Sequence, residues 1–358
     1  MLWLLVFTAI ASLVTFSNPA HAAKPTPLLL VLDNGISRWN GQRIQWITKT
    51  RTYAYPVISP DGRNAAYKDE YSEVGLDAPT PADIYVIDLS TYQVIPIVAQ
   101  PAGFVFPDST PDGLFRSDPT WSPDGRSLAW TEFLGTTDSN EKRPVKLVIY
   151  DMITKRRYTV TTLPINRLFG SSTQSVAWGP GGIAVWNTLE DNTAEIDVFS
   201  PGGKLLSSSK IVVVDDLFWV KDGNKDLIAI LGATKETDPF NWFRLDPLQN
   251  DSISPMEGQP ELIHNKPNQT NVYLDPVSDN FNVWTVKLPG GHTYRVSPFE
   301  NPQYYANFYL SISPDDSQVA YIDSQNDVYI LSANGATKIA SNAGSIAWTA
   351  TAWQVMHN

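Results

Sequence analysis

The chain has 358 residues, a formal net charge of −11 and no cysteine. The missing cysteines exclude disulfides, thiolate metal sites and a lipid-modified cysteine anchor, and the acidic balance sets nucleic acid and anionic lipid against the overall sign of the protein. Charged residues make up only 18 % of the chain beside abundant Trp, Tyr and Phe, a balance that suits many short, half-buried strands better than helices.

The first residues, Met1-Leu2-Trp3-Leu4-Leu5-Val6-Phe7, open an apolar run that continues to about Phe16, and Ala20-His21-Ala22 follows as a small-x-small segment. The run is shorter than the ~20 residues that span a bilayer. Residues 1–22 are therefore expected to be a cleaved signal peptide, and 23–358 a single exported domain in the periplasm or outside the cell. No other stretch is apolar enough to cross a membrane.

Two strand-like runs come next, Leu28-Leu29-Leu30-Val31-Leu32-Asp33-Asn34-Gly35 and Gln42-Arg43-Ile44-Gln45-Trp46-Ile47. A repeat then begins. Ile58-Ser59-Pro60-Asp61-Gly62-Arg63 recurs as Trp121-Ser122-Pro123-Asp124-Gly125-Arg126 and, degraded, as Ile312-Ser313-Pro314-Asp315-Asp316-Ser317. Trp178-Gly179-Pro180-Gly181-Gly182 and Trp219-Val220-Lys221-Asp222-Gly223 are weaker copies. Pro presets φ, Asp bonds to local backbone and Gly accepts a positive φ, so each copy reads as a tight turn between hydrophobic strands. A second pair of strands follows, as in Asp83-Ile84-Tyr85-Val86-Ile87-Asp88 with Tyr92–Ile97, and Lys146–Asp151 with Arg157–Val160. Each unit is thus four antiparallel strands over roughly 45 residues, the period of a propeller blade.

Complete units fall at about 55–98, 117–162, 173–209, 213–254, 260–297 and 305–340. The remaining N-terminal runs read as the last two strands of a seventh unit, and Ser345–Trp348 with Ala352–Val355 as its first two. The expected fold is all-β: a seven-bladed propeller closed by pairing of the chain ends, with six or eight blades as alternatives and almost no helix. At Trp121–Trp130 and Asp83–Asp88 the sequence resembles the TolB-type propeller repeats, a WD-repeat-like group. The resemblance covers the mature chain in weak form. It implies a propeller that binds partner proteins, or one that gates a separate hydrolase domain.

In a four-stranded meander, the first-to-second and third-to-fourth turns lie on one face, and they are short here. The second-to-third turns and the links between blades lie on the other face and hold the long segments. Those segments carry Asp69, Glu70 and Tyr71; then Phe104, Phe106, Asp108, Phe115 and Arg116; then Phe133; then Tyr304 and Tyr305. These eleven residues are the candidate ligand contacts, and a protein, peptide or glycan is the expected partner of a monomer.

Gly-x-Ser-x-Gly, His-Glu-x-x-His and the phosphate-binding loops are absent. His264, His292 and His357 do not form a triad or a metal cluster, so no catalytic residue, metal or cofactor is expected. Two alternatives to a non-enzymatic binder remain. One is a hydrolase or lyase pairing Asp69 or Glu70 with Asp108 or Asp118, which requires two acids about 5–10 Å apart. The other is a structural module of an envelope complex, which requires an apolar patch on the outer blade surfaces.

Overall fold

The computed structural model describes residues 27–348 apart from 53, 72–80, 106–112, 136–142, 167–175, 189–192, 223–224, 236–240, 248–252, 256–270, 275–283, 290, 297–309, 314 and 316. Among the described residues there is no helix, and the strands form seven sheets. The signal-peptide expectation lies outside them.

Blade 1 takes β1 (Leu28–Leu32), β2 (Gly35–Trp39) and β3 (Ile44–Lys49) from the N-terminal end. Blade 2 is β4 (Val57–Ile58), β5 (Asn64–Glu70), β6 (Ala82–Asp88) and β7 (Val94–Val98). Blade 3 is β8 (Gly113–Arg116), β9 (Thr120–Trp121), β10 (Ser127–Gly135), β11 (Arg143–Asp151) and β12 (Arg156–Asn166). Blade 4 is β13 (Val176–Gly179), β14 (Gly182–Thr188), β15 (Ala194–Phe199) and β16 (Leu205–Ile211). Blade 5 is β17 (Val213–Asp222), β18 (Lys225–Ala233), β19 (Asn241–Leu245) and β20 (Ser254–Pro255). Blade 6 is β21 (Asn271–Leu274), β22 (Trp284–Lys287) and β23 (Thr293–Val296). Blade 7 is β24 (Leu310–Ile312), β25 (Val319–Ile322), β26 (Val328–Ser332) and β27 (Gly335–Ala340), and β28 (Ala343–Trp348) returns to blade 1.

The ends do meet in one sheet, ordered β28-β1-β2-β3. The division differs from the even split expected: the N-terminal side supplies three strands and the C-terminal side one. The reason is a hairpin at Asp33-Asn34, where φ is 43° and 58°. Positive φ at both central residues is the type I′ geometry that favours tight hairpins, and it turns Gly35–Trp39 back along β1, with Val31 opposite Ile36. The second C-terminal strand expected at Ala352–Val355 lies outside the described residues.

Burial follows the strand period of two, but on both faces. In β1, Leu28, Leu30 and Leu32 pack with Ala320, Ile322 and Val328 of blade 7, while Leu29 and Val31 pack with Ile58, Ala65 and Tyr67 of blade 2. The same apolar seam runs between blades 2 and 3, 3 and 4, and 4 and 5, and a final cluster joins blades 5, 6 and 7. The core is therefore a ring of interblade seams that returns to its start.

The repeat turn has one construction. Ser59 Oγ donates to Asp61 Oδ1 at 2.6 Å and accepts from the Asn64 amide at 2.9 Å, while Arg63 N donates to Asp61 Oδ1 at 3.1 Å. Ser122, Asp124, Arg126 and Ser127 repeat it bond for bond, and Ser313, Asp315, Ser317 and Gln318 do so again. These motif carboxylates are consumed by their own turns.

Tryptophans at the first strand tie neighbouring blades. Trp121 Nε1 donates to the Val57 carbonyl at 2.9 Å, and Trp219 Nε1 to the Ala177 carbonyl at 3.2 Å. The Trp219 indole fills the space above blade 4's glycine turn, so a Cβ on Gly179 would lie 2.1 Å from the ring. Because the indole is pinned by its own hydrogen bond, it cannot swing away cheaply. Gly179→Ala should cost about 1–3 kcal/mol as an overpacking change, read as a lower urea midpoint at unchanged m-value; Gly202→Ala, which meets only the Ser200 hydroxyl at 3.8 Å, should be close to neutral.

Candidate functional site: the braced rim of blades 2 and 3

Second strands alternate toward the previous and the next blade. The third residue of the previous-blade face is charged in blades 2 and 3, as Asp69 after Tyr67 and Glu132 after Trp130. The corresponding positions are Leu32 in blade 1, Asn187 in blade 4, Gly232 in blade 5 and the half-buried Asp323 in blade 7. Among the described residues, fully buried charge at this level is thus a feature of blades 2 and 3, on the side that carries the long segments.

Asp69 is held by Arg51, which sits in the link from blade 1. The Arg51 amide donates to Asp69 Oδ1 at 2.7 Å and its guanidinium to Oδ2 at 2.8 Å. The same guanidinium lies 3.3 Å from Asp83 Oδ2 and stacks 3.8 Å over the Tyr71 ring. Tyr71 donates its hydroxyl to Asp83 at 3.0 Å, and the Gln100 amide donates to the other Asp83 oxygen at 2.9 Å. Phe104 meets Tyr71 edge-on with centroids 5.0 Å apart. Burial, opposed by the Arg51 bonds, raises the Asp69 pKa, and burial with Asp83 pushes Tyr71 up to about 12.

Blade 3 stands taller than its neighbours on this side. Beyond β9, β10 continues to Gly135 and pairs with β8, so Phe133 faces Phe115 and Glu132 faces Arg116. Phe115 and Phe133 stack with centroids 4.8 Å apart. Arg116 is buried; it donates to the Ala82 carbonyl, to the Ala99 carbonyl at 3.1 Å and to Glu132 at 3.3 Å. Glu132 also receives Trp130 Nε1 at 3.2 Å and Arg157 at 2.5 Å. The Gln100 side chain acts as a splint, donating to the Ala82 and Leu114 carbonyls and accepting from the Leu114 amide at 2.7 Å.

A third pair crosses the same seam. Lys68 Nζ lies 2.6 Å from Glu70 and 3.5 Å from Asp118. Both Asp118 oxygens are sealed from solvent, and neither makes a hydrogen bond. Burial, which Lys68 offsets only in part, pushes the Asp118 pKa up to about 6. Burial also works against the Lys68 ammonium, but Asp118 and Glu70 overcome it and raise its pKa.

Six of the eleven predicted contacts therefore gather on one rim: Asp69, Tyr71, Phe104, Phe115, Arg116 and Phe133. Glu70 faces the neighbouring seam. Asp69, Phe115 and Arg116 are buried and brace the rim from inside, whereas Tyr71, Phe104 and Phe133 reach its surface. Phe106, Asp108, Tyr304 and Tyr305 lie outside the described residues. Arg51, Lys68, Asp83, Gln100, Asp118 and Glu132 complete the network. Sequence reasoning passed over five of them as ligand contacts and named Asp118 only as an acid. Their available signal was a carboxylate two residues after the strand aromatic in two successive copies. No group of three or more His, Asp or Glu placed to hold a metal ion occurs among the described residues.

Three copies of the Ser-Pro-Asp turn, set at the starts of blades that close into a ring, decide the architecture. It is a β-propeller. No protein-family model matches the chain, and no curated protein sequence matches it. Among solved structures, the ring is similar to TolB from Acinetobacter baumannii at 15 % identity and TM-score 0.42, over 90 % of this chain and 66 % of that one. An oligogalacturonate lyase in complex with manganese is similar at 14 % identity and TM-score 0.45, over 81 % and 79 % of the two chains. Pyrococcus horikoshii acylaminoacyl peptidase is similar at 13 % identity and TM-score 0.46, over 86 % of this chain and 48 % of its own. The chain thus spans just under two thirds of TolB and about half of the peptidase, and likeness at this level says nothing about activity.

Arg116→Ala leaves Glu132 its Arg157 partner but unpairs the Ala82 and Ala99 carbonyls, and should cost about 1–3 kcal/mol, seen as a lower denaturation midpoint. Asp118 makes a separable prediction. Its folded-state pKa lies above the ordinary carboxylate value, so between about pH 4 and pH 6 the folded state holds its proton more tightly than the unfolded state. Stability due to this group falls as pH rises through that window and is level above it. The stability of Asp118→Asn relative to wild type should therefore increase from pH 4 to pH 6 and then stay constant, as read from urea midpoints across pH.

Proposed function

We propose that this protein is a non-enzymatic, exported binding propeller that captures a protein, peptide or glycan through the rim of blades 2 and 3. The carrying observation is the pair of buried arginine–carboxylate contacts on those two blades: Arg51 on Asp69 and Asp83, and Arg116 on Glu132. Buried pairs contribute little net stability but fix geometry. Here they hold segments that would otherwise be loose, and they present Tyr71, Phe104, Val105 and Leu134 at the surface. Val105 and Leu134 are largely exposed. Aromatic anchors beside a partly exposed arginine, on a preformed frame, make a recognition surface with little ordering cost. The apolar start of the chain and Ala20-His21-Ala22 support export.

One observation bears on the paired-carboxylate alternative. Glu70 and Asp118 share the Lys68 ammonium, and Asp118 has a raised pKa. Both Asp118 oxygens are sealed, however, and the ammonium sits between the two acids. A substrate atom has no approach to the Asp118 oxygens, so the pair is incomplete and binding is the better reading.

A photo-crosslinking side chain placed at Val105 or Leu134 should capture a partner in the producing cells, and one placed at Asn334 on the opposite face should not. Adding Tyr71→Ala should weaken capture at least tenfold, since removing a hot-spot aromatic costs about 2 kcal/mol. Absence of adducts at both rim positions, or equal adducts at Asn334, would refute the reading.

A further inference from the structure

The short-turn side of blades 3 and 4 departs from the acidic character of the chain. The turn after β11 projects Ile153, which is 68 % exposed, and β12 continues with Tyr158 at 47 %. The blade 4 turn packs against this strand: a Cβ on Gly203 would lie 2.5 Å from the Val160 carbonyl. That contact sets Leu205, 50 % exposed, beside β12. Lys155 and Arg156, between Ile153 and Tyr158, and Lys204, next to Leu205, are all exposed and make no ion pair among the described residues. Two acids of the same turns, Asp151 and Asp124, keep their charge but are held within those turns. Asp151 Oδ1 accepts the Ile153 and Thr154 amides at 2.8 and 2.7 Å, and Asp124 closes its own turn and lies 4.0 Å from Arg126.

From this juxtaposition we infer that the outer short-turn surface of blades 3 and 4 docks on an anionic lipid bilayer. An apolar side chain at a turn tip, a tyrosine and a leucine beside it, and unpaired lysine and arginine around them match the apolar-plus-basic surface that lies in a headgroup layer. An acidic protein is the poorer fit, because lysine is depleted at protein interfaces and two of the three cations here are lysines. The chain's net charge of −11 argues against anionic lipid only if charge is averaged over the molecule. At physiological ionic strength fields decay over about 8 Å, so a bilayer responds to the patch and not to acids on distant blades. Docked in this way, the ring turns its long-loop rim away from the lipid. The inference uses a different surface from the proposed binding rim, and either can fail alone.

The test is co-sedimentation of the full chain with vesicles of phosphatidylcholine alone and with about one third phosphatidylglycerol. Binding to the anionic vesicles only, lost at high salt, is the expected result. Each basic residue at an anionic surface contributes about fivefold, so Lys155→Glu with Arg156→Glu and Lys204→Glu should weaken binding at least a hundredfold. Ile153→Ser should weaken it severalfold, and Arg43→Glu, an exposed site on blade 1, should leave it unchanged. All these positions are exposed, and an unaltered thermal midpoint will confirm that the variants fold. No binding, equal binding to neutral vesicles, wild-type binding by the triple variant, or capture of a soluble acidic protein without vesicle binding would each overturn the proposal.

Discussion

Everything in this protein depends on one antiparallel pairing, in which Leu28–Leu32 lies against Ala343–Trp348. A propeller blade is apolar on both faces and cannot hide either one alone. Strand β1 shows the constraint in its simplest form, five consecutive buried residues that alternate between blade 7 and blade 2. Without the partner strand, the blade 7 side of this run would meet water and the ring would open at that seam. Closure turns a row of marginal sheets into a body with no exposed end blade, and Ser345 adds a cross-tie by donating to the Ala54 carbonyl at 3.0 Å.

The two faces of the ring then do different work with different chemistry. On the short-turn face, serine and aspartate side chains satisfy much of the turn backbone locally. On the long-segment face of blades 2 and 3, order comes from charge carried across the seams. Arg51, from an interblade link, and Arg116, from the added strand β8, each reach a second-strand carboxylate. The pattern is repeated in role although the arginines occupy different places relative to the following strand. Electrostatics substitutes here for the hydrophobic packing that fixes the rest of the molecule.

Much of the architecture could be read from the sequence because the turn signal is local. Ser59-Pro60-Asp61-Gly62 needs only its own atoms to turn, so its recurrence marks blades without tertiary information. The hairpin at Asp33-Asn34 was equally local, but its flanking apolar run reads as one strand ending at Gly35, and the extra strand β2 went unseen. The rim was legible only as composition. Asp69, Arg116 and Phe115 look from the sequence like surface contacts because they border long segments. Their burial depends on Arg51, Gln100 and Glu132, which the chain places 18, 14 and 16 residues from their partners. No periodicity encodes such pairings.

The closing strand is also nearly the last part of the ordered ring to be made. At ~5–20 residues per second, Ala343 follows Leu32 by roughly 15–60 s of synthesis. Throughout that interval the most apolar strand of the N-terminal hairpin has one edge and one face without partners. Such an arrangement exposes the nascent chain to holdases and to mispairing, and it delays completion of the ring until its C-terminal segment is free.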